Sequence, residues 1–143
     1  MDEQNVVSTE KIDFKETCVL CNHKLEPKQK VILSNENCFF TQMPQEILIG
    51  SGLIIPKKHR ANVFELTEEE WSDTFDLLKK VKAYLDEKHQ PDGYNVAWNT
   101  HSAAGQHLLH SHLHIIPRFN NEPLVGKDLL SFIGNPENKR SFD

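Results

Sequence analysis

The stretch Gln106-His107-Leu108-Leu109-His110-Ser111-His112-Leu113-His114-Ile115-Ile116-Pro117-Arg118 organises the chain. His110, His112 and His114 recur at spacing two among Leu109, Leu113 and Ile115, so the segment reads as a strand with a core face and an imidazole face. Five of the eight histidines fall between positions 101 and 114. On a strand rising about 3.3 Å per residue, neighbours in the row stand roughly 6.6 Å apart, close enough to serve one small site. A single such histidine is ordinarily a hydrogen-bonded core residue. Three in register leave two chemical readings: a catalytic metal held by three imidazoles, or a neutral imidazole that attacks phosphorus while its neighbours orient it and hold the phosphate charge.

The residues ahead of the row favour attack on phosphorus. Positions 99–106, Asn-Thr-His-Ser-Ala-Ala-Gly-Gln, are small and polar, as suits a turn whose backbone approaches a phosphate closely. His-x-His-x-His followed by two apolar residues and then Pro-Arg, with Ala-Gly-Gln at 104–106, resembles the signature of the histidine triad (HIT) hydrolases and transferases. The resemblance extends to Leu53-Ile54-Ile55-Pro56-Lys57-Lys58-His59 and Gly93-Tyr94-Asn95, and so covers roughly residues 15–120.

The resemblance implies an α+β fold, a five-stranded antiparallel sheet with one long helix on it, and a two-fold dimer. It implies a nucleotide phosphohydrolase or nucleotidyl transferase that cleaves at the α-phosphate of a dinucleoside polyphosphate or a nucleoside phosphoramidate. The intermediate would be a covalent nucleotidyl-His112, with Asn99, Gln106 and His114 as donors to the phosphate oxygens and Gly105 and His107 among the substrate contacts. The chain departs from the family pattern twice. His107 stands where Ser or Thr is usual, and where an Asp usually holds the ribose, residues 40–43 read Phe-Thr-Gln-Met, with Gln42 as the substitute.

Cys18-Val19-Leu20-Cys21 is a zinc half-site or a redox couple, and no thioredoxin-like strand-helix pattern surrounds it. Zinc would need two more ligands, for which His23, His59 and the triad histidines are available. In a zinc-bearing, bacterial-type branch of the family the ligands are such a Cys pair, the His after Pro-Lys-x and the first triad His. Carried over, these are Cys18, Cys21, His59 and His110, a structural zinc that leaves His112 free. The alternative for the pair is two buried thiols without metal. Cys38, in an apolar run, is expected in the core.

The remainder fits around these motifs. With 143 residues, 38% hydrophobic and 26% charged, the chain suits one ordinary globular domain. The expected division is a loosely ordered arm at 1–16, docking through Ile12 and Phe14 if at all, a HIT domain at 17–120 and a tail at 121–143. A net charge of -5 and a pI near 5.9 give no general attraction to nucleic acid or an anionic membrane. No run reaches the roughly 18 apolar residues of a membrane span and the opening residues lack a signal-peptide core, so a cytoplasmic protein is expected. Lys57, Lys58 and Arg60 form the strongest local positive cluster, able to attract a polyphosphate.

Residues 30–33 and 38–41 read as a hairpin around a polar turn. Thr67-Glu68-Glu69-Glu70 is a capping box that starts a helix over 67–89, with Trp71, Phe75, Leu78, Val81 and Leu85 as its core-facing stripe. Residues 94–98 read as an edge strand, which with the helix could form the dimer interface, and 124–133 as room for a short helix. Two rival readings stand beside the enzyme: a nucleotide-binding protein with little turnover that acts through partners, and a metalloenzyme with zinc on the triad itself.

Overall fold

Thr67 opens the longest element. Its hydroxyl accepts from the Glu70 N–H at 3.1 Å while the Glu70 carboxylate accepts from the Thr67 N–H at 2.8 Å, the expected capping box, and α1 runs Glu68–His89. The helix stops at Gln90, in the left-handed region at φ 49°, ahead of Pro91, whose ring does not continue a helix. The computed structural model in which this is seen describes residues 13–142; the expected arm, Ile12 included, lies outside those residues up to position 12.

Five strands, β1 Lys30–Ser34, β2 Cys38–Gln42, β3 Gly52–Pro56, β4 Gly93–Trp98 and β5 Leu113–Arg118, form one antiparallel sheet in the order β1-β2-β3-β5-β4. This is the expected α+β architecture. Gly52 is required where β3 passes β2, because a Cβ there would lie 2.5 Å from the Thr41 carbonyl oxygen. Side-chain alternation divides the sheet. Cys38, Phe40, Ile54, Leu113 and Ile115 face α1 and its Leu77, Val81 and Leu85, while Phe39 and Ile55 face the other way, against Leu20.

The buried face of α1 is Glu70, Thr74, Leu77, Val81 and Leu85. The expected stripe is therefore displaced by one position in its first half: Trp71 and Phe75 stand 46% and 59% exposed, and only Val81 and Leu85 are fully buried members of it. The cause is polar. Glu70 is drawn inward by the Arg60 guanidinium at 3.0 Å, and the Thr74 hydroxyl lies 3.4 Å from the Cys38 thiol and donates to the Glu70 carbonyl at 2.7 Å.

The triad segment also differs from expectation. β5 begins only at Leu113, so His110 and His112 precede the strand and Leu109 is 63% exposed rather than in the core. Residues 110–112 are tied to the end of β3 and the loop after it instead of to a ladder: the Ser111 N–H donates to the Arg60 carbonyl at 2.6 Å, and His110 Nε2 donates to the Pro56 carbonyl at 2.9 Å.

At the start of the described chain Phe14 is exposed, and the anchor is Asp13, whose carbonyl accepts the His59 N–H at 2.7 Å and whose carboxylate meets Arg60 at 3.2 Å. Arg60 is consequently buried and paired, not a free charge for a polyphosphate; Lys57 and Lys58 alone of that cluster are exposed. Beyond β5, the Arg118 guanidinium collects Glu122, Asn95 and the carbonyls of Leu124 and Lys127, holding the tail against β4 and β5. A short α2, Leu129–Ile133, falls inside the expected window.

Candidate functional site

Three segments bring four soft ligands together. Cys18 and Cys21 come from the turn before β1, His59 from the loop after β3 and His110 from the approach to β5, with their donor atoms all within 4.8 Å of one another. Cys21 Sγ lies 3.2 Å from His59 Nδ1 and 3.4 Å from His110 Nδ1, and Cys18 Sγ lies 3.5 Å from His110 Nδ1. Zn–S and Zn–N bonds of ordinary length at tetrahedral angles put S and N about 3.5 Å apart, so the donor set and its spacing fit a tetrahedral ion. His110 is prepared for that role. Its Nε2–H is spent on the Pro56 carbonyl, which leaves the Nδ1 lone pair facing the thiols. Burial pushes the His110 imidazole down to about 4, with His59 and His112 adding to the effect, and burial also lowers His59. Both rings are therefore neutral ligands near neutral pH. The Cys21 thiol is pushed up by burial, a direction that a bound cation reverses.

His112 points elsewhere. Its Nδ1 lies 2.7 Å from the His110 carbonyl oxygen, which can only accept, so Nδ1 carries the hydrogen and the neutral ring keeps its lone pair on Nε2. The ring is 9% exposed and sits 5.0 Å from that of His114, edge to face. Burial, followed by the neighbouring His112, holds His114 below the usual imidazole range. Of the triad only His110 belongs to the ligand cluster; among the described residues no metal-ligand grouping contains His112 or His114, which removes the support for zinc on the triad.

The turn at 99–106 leads from β4 toward the triad. Gly105 takes φ +94°, with the Asn99 amide on the side where a Cβ would point. The Gln106 side chain is engaged within the protein. Both its amide hydrogens are committed, to the carbonyls of Ala61 at 2.7 Å and Leu108 at 2.9 Å, and its Oε1 accepts the His101 N–H at 2.8 Å, so it staples the turn. His107 is exposed and lines a cleft of about 280 Å³ with Lys15, Thr17, Cys18 and His59.

His114 lines a larger cavity of about 460 Å³ on the sheet face away from α1, walled by Val19, Leu53, Met43, Leu108 and Ile116. Gln42, expected to contact substrate, is not among its lining residues; its amide donates to the Gly50 carbonyl at 3.1 Å. The sheet's alternation gives the reason, since Phe39, Thr41 and Met43 share one side and Gln42 falls between them. That two-residue period is a signal able to identify Thr41 and Met43. Nothing in the sequence pattern marks Val19 and Leu108, which line both cavities.

The His112 ring, with its Nε2 lone pair free, thus lies 5.0 Å from a histidine that lines a mostly apolar cavity, an arrangement that could serve nucleophilic chemistry on a bound small molecule. Residues 24–121 match the family described as HIT domain, and the chain belongs to that family. It is 33% identical over 106 residues to Protein hit of Bacillus subtilis, covering 73% of this chain and 72% of that one. Over 88 residues it is 39% identical to the adenosine 5'-monophosphoramidase of Schizosaccharomyces pombe, covering 62% and 63% of the two chains. A solved structure of a HIT family protein from Bacillus anthracis superimposes with a TM-score of 0.70 at 27% identity, over 86% of this chain and 89% of that one.

Proposed function

We propose that the chain is a nucleotide phosphohydrolase or nucleotidyl transferase that works through a covalent nucleotidyl-His112. The observation that carries this reading is the 2.7 Å hydrogen bond from His112 Nδ1 to the His110 carbonyl, which keeps Nε2 nucleophilic. In the first step Nε2 bonds to the α-phosphorus while the bond from phosphorus to the leaving group breaks. The imidazole then carries positive charge, which the same carbonyl stabilises through Nδ1–H. In the second step a water oxygen bonds to phosphorus, the P–Nε2 bond breaks and its electron pair returns to the ring. In this reading His114 and the Asn99 amide hold the phosphate oxygens, Gly105 lets the backbone come close, His107 meets the leaving group, and Gln106 positions the turn. The S. pombe relative's name supports a phosphoramidate, and a dinucleoside polyphosphate presents the same α-phosphate.

A zinc ion at Cys18, Cys21, His59 and His110 would supply a structural cross-link between three segments and fix His110, whose carbonyl orients His112. The exposed Trp71 and Phe75 on α1, with Val96 and Trp98 on the edge strand β4, supply an apolar surface for a two-fold partner; Trp71 meets Trp98 edge to face, ring centroids 5.3 Å apart. No helix among the described residues is long and apolar enough to cross a membrane, and a cytoplasmic setting would keep the Cys pair reduced.

The test is intact-protein mass spectrometry after brief exposure to adenosine 5'-phosphoramidate or a diadenosine polyphosphate. Wild type is expected to show an acid-labile nucleotidyl adduct or product release, and His112→Ala to lose turnover by about 10⁵-fold with its melting temperature kept. Nucleotide binding without adduct or turnover in wild type would establish the binding-protein reading instead, which the full commitment of Gln106 favours.

A further inference from the structure

The four ligands of the Cys/His cluster are not equally open to solvent. His59 and His110 are 8% and 0% exposed, whereas Cys18 and Cys21 are both half-buried. Cys18 also lines the cleft of about 280 Å³ that it shares with the exposed Lys15 and His107, and Cys21 is not among the residues of that cleft. Cys18 is therefore the sulfur that a small solute meets first.

The backbone keeps the two sulfurs within reach of each other. The Cys21 N–H donates to the Cys18 carbonyl at 3.1 Å and the Asn22 N–H to the same carbonyl at 2.8 Å, closing a turn across the pair. Such a four-residue turn holds its end Cα atoms within about 7 Å, the limit below which a disulfide needs no backbone movement. The sulfurs themselves lie no more than 4.8 Å apart. The turn precedes β1 and contributes no strand, so a bond across it leaves the sheet ladders as they are. Cys38 is fully buried on the helix side, its thiol beside the Thr74 hydroxyl. A bond between Cys18 and Cys21 takes away two of the four ligands, and the two imidazoles left are too few for a tetrahedral site.

We propose that Cys18 and Cys21 form a peroxide-responsive thiol–disulfide pair, and that closing the bond empties the cluster of its ion. In the first step the Cys18 sulfur attacks one oxygen of a peroxide. The O–O bond breaks, an S–OH forms, and the departing oxygen leaves as water with the thiol proton. In the second step the Cys21 sulfur attacks the Cys18 sulfur. The S–S bond forms, the S–O bond breaks, and the hydroxyl leaves as a second water with the Cys21 proton. The two sulfurs together lose two electrons, which the peroxide takes up. In the ion-loaded chain the sulfurs start as thiolates, so solvent supplies both protons. The sequence of steps uses neither His112 nor a nucleotide.

The experiment treats zinc-loaded and metal-free protein with hydrogen peroxide. It follows intact mass, disulfide-linked peptides and zinc released to a chromogenic chelator, before and after dithiothreitol. Both forms are expected to lose the mass of two hydrogens through a Cys18–Cys21 bond, the loaded form giving up one zinc per chain in step. Dithiothreitol is expected to restore both mass and zinc binding. Dimedone, which captures sulfenic acids, is expected to label Cys18 in Cys21→Ser and to leave Cys21 unlabelled in Cys18→Ser, with melting temperatures as the folding control. Added oxygens without a disulfide, a bond to Cys38 or to a second chain, or zinc retained after peroxide would each overturn the proposal. Labelling of Cys21 in folded Cys18→Ser would overturn the order of attack. Should either Ser variant fail to fold, the linked peptide and the zinc release in wild type decide the matter.

Discussion

On the helix side of the sheet, Cys38, Phe40, Ile54, Leu113 and Ile115 meet Leu77, Val81 and Leu85 with no residue more than 1% exposed. On the other side the buried apolar cluster shrinks to Leu20, Phe39 and Ile55, and the rest of the surface is given to the Cys/His cluster, the His112–His114 pair and an open cavity. The helix side is held by apolar burial, which is additive and tolerant of detail. The site side depends on a few directional contacts between segments distant in sequence, and such contacts fail together. The two sides should therefore respond differently to damage.

Removal of an ion loaded into the Cys/His cluster should separate them most. Treatment of the zinc-loaded protein with a strong chelator is expected to lower the melting temperature more than Leu77→Ala or Thr67→Ala does, because four side chains from three segments lose their common partner. Scanning calorimetry with and without chelator reads this directly, and an unchanged melting temperature would show that the site side stands without an ion. On the helix side, Leu77→Ala is expected to cost about 2–5 kcal/mol in urea unfolding while kcat/KM per folded molecule stays at the wild-type value. A matching loss of activity would mean that the two sides are not separable.

Acid acts on the site side. An unfolded imidazole takes its proton near 6.5, whereas buried His110 resists until about 4 and His59 is shifted the same way. Between these values the unfolded chain binds more protons, so stability is present above 6.5 and lost as pH falls toward 4, by on the order of 3 kcal/mol for His110. Proton competition for a metal's ligands works in the same direction. Urea titrations at stepped pH check this, and a flat profile would exclude it. The smallest effect is expected from Thr67→Ala, about 1 kcal/mol from the lost cap, measurable as a shift in urea midpoint with activity and metal content unchanged.

The same contrast explains what is legible in the sequence. The hairpin at 30–41, the capped helix from Thr67 and the edge strand at 94–98 are written in turn residues, a capping box and alternation, all of them local signals. The ligand quartet rests on a motif resemblance, and the structure does bring Cys18, Cys21, His59 and His110 together. The misreadings lie where a polar group is buried by a distant partner. Trp71 and Phe75 carry the more apolar side chains, yet Glu70 and Thr74 are the buried residues because Arg60 and Cys38 receive them. The His-x-His-x-His row has the period of a strand, yet residues 110–112 take their hydrogen bonds from the 56–60 segment. The Gln106 amide likewise donates to the Ala61 carbonyl, 45 residues away. Hydropathy patterns contain no information about such partners.

The cluster also bears on how the chain assembles. Cys18 and His110 are 92 residues apart, and the central β3–β5 pairing likewise joins segments separated in sequence by α1 and β4. Closing such loops before their contacts exist is what slows folding of non-local topologies. Cys18 and Cys21, adjacent in sequence, can capture an ion in the unfolded chain, and recruitment of His59 and then His110 would close the loop ahead of the sheet. An ion there would act as a folding template, so that refolding should speed up with metal present from the start and slow when it is added late.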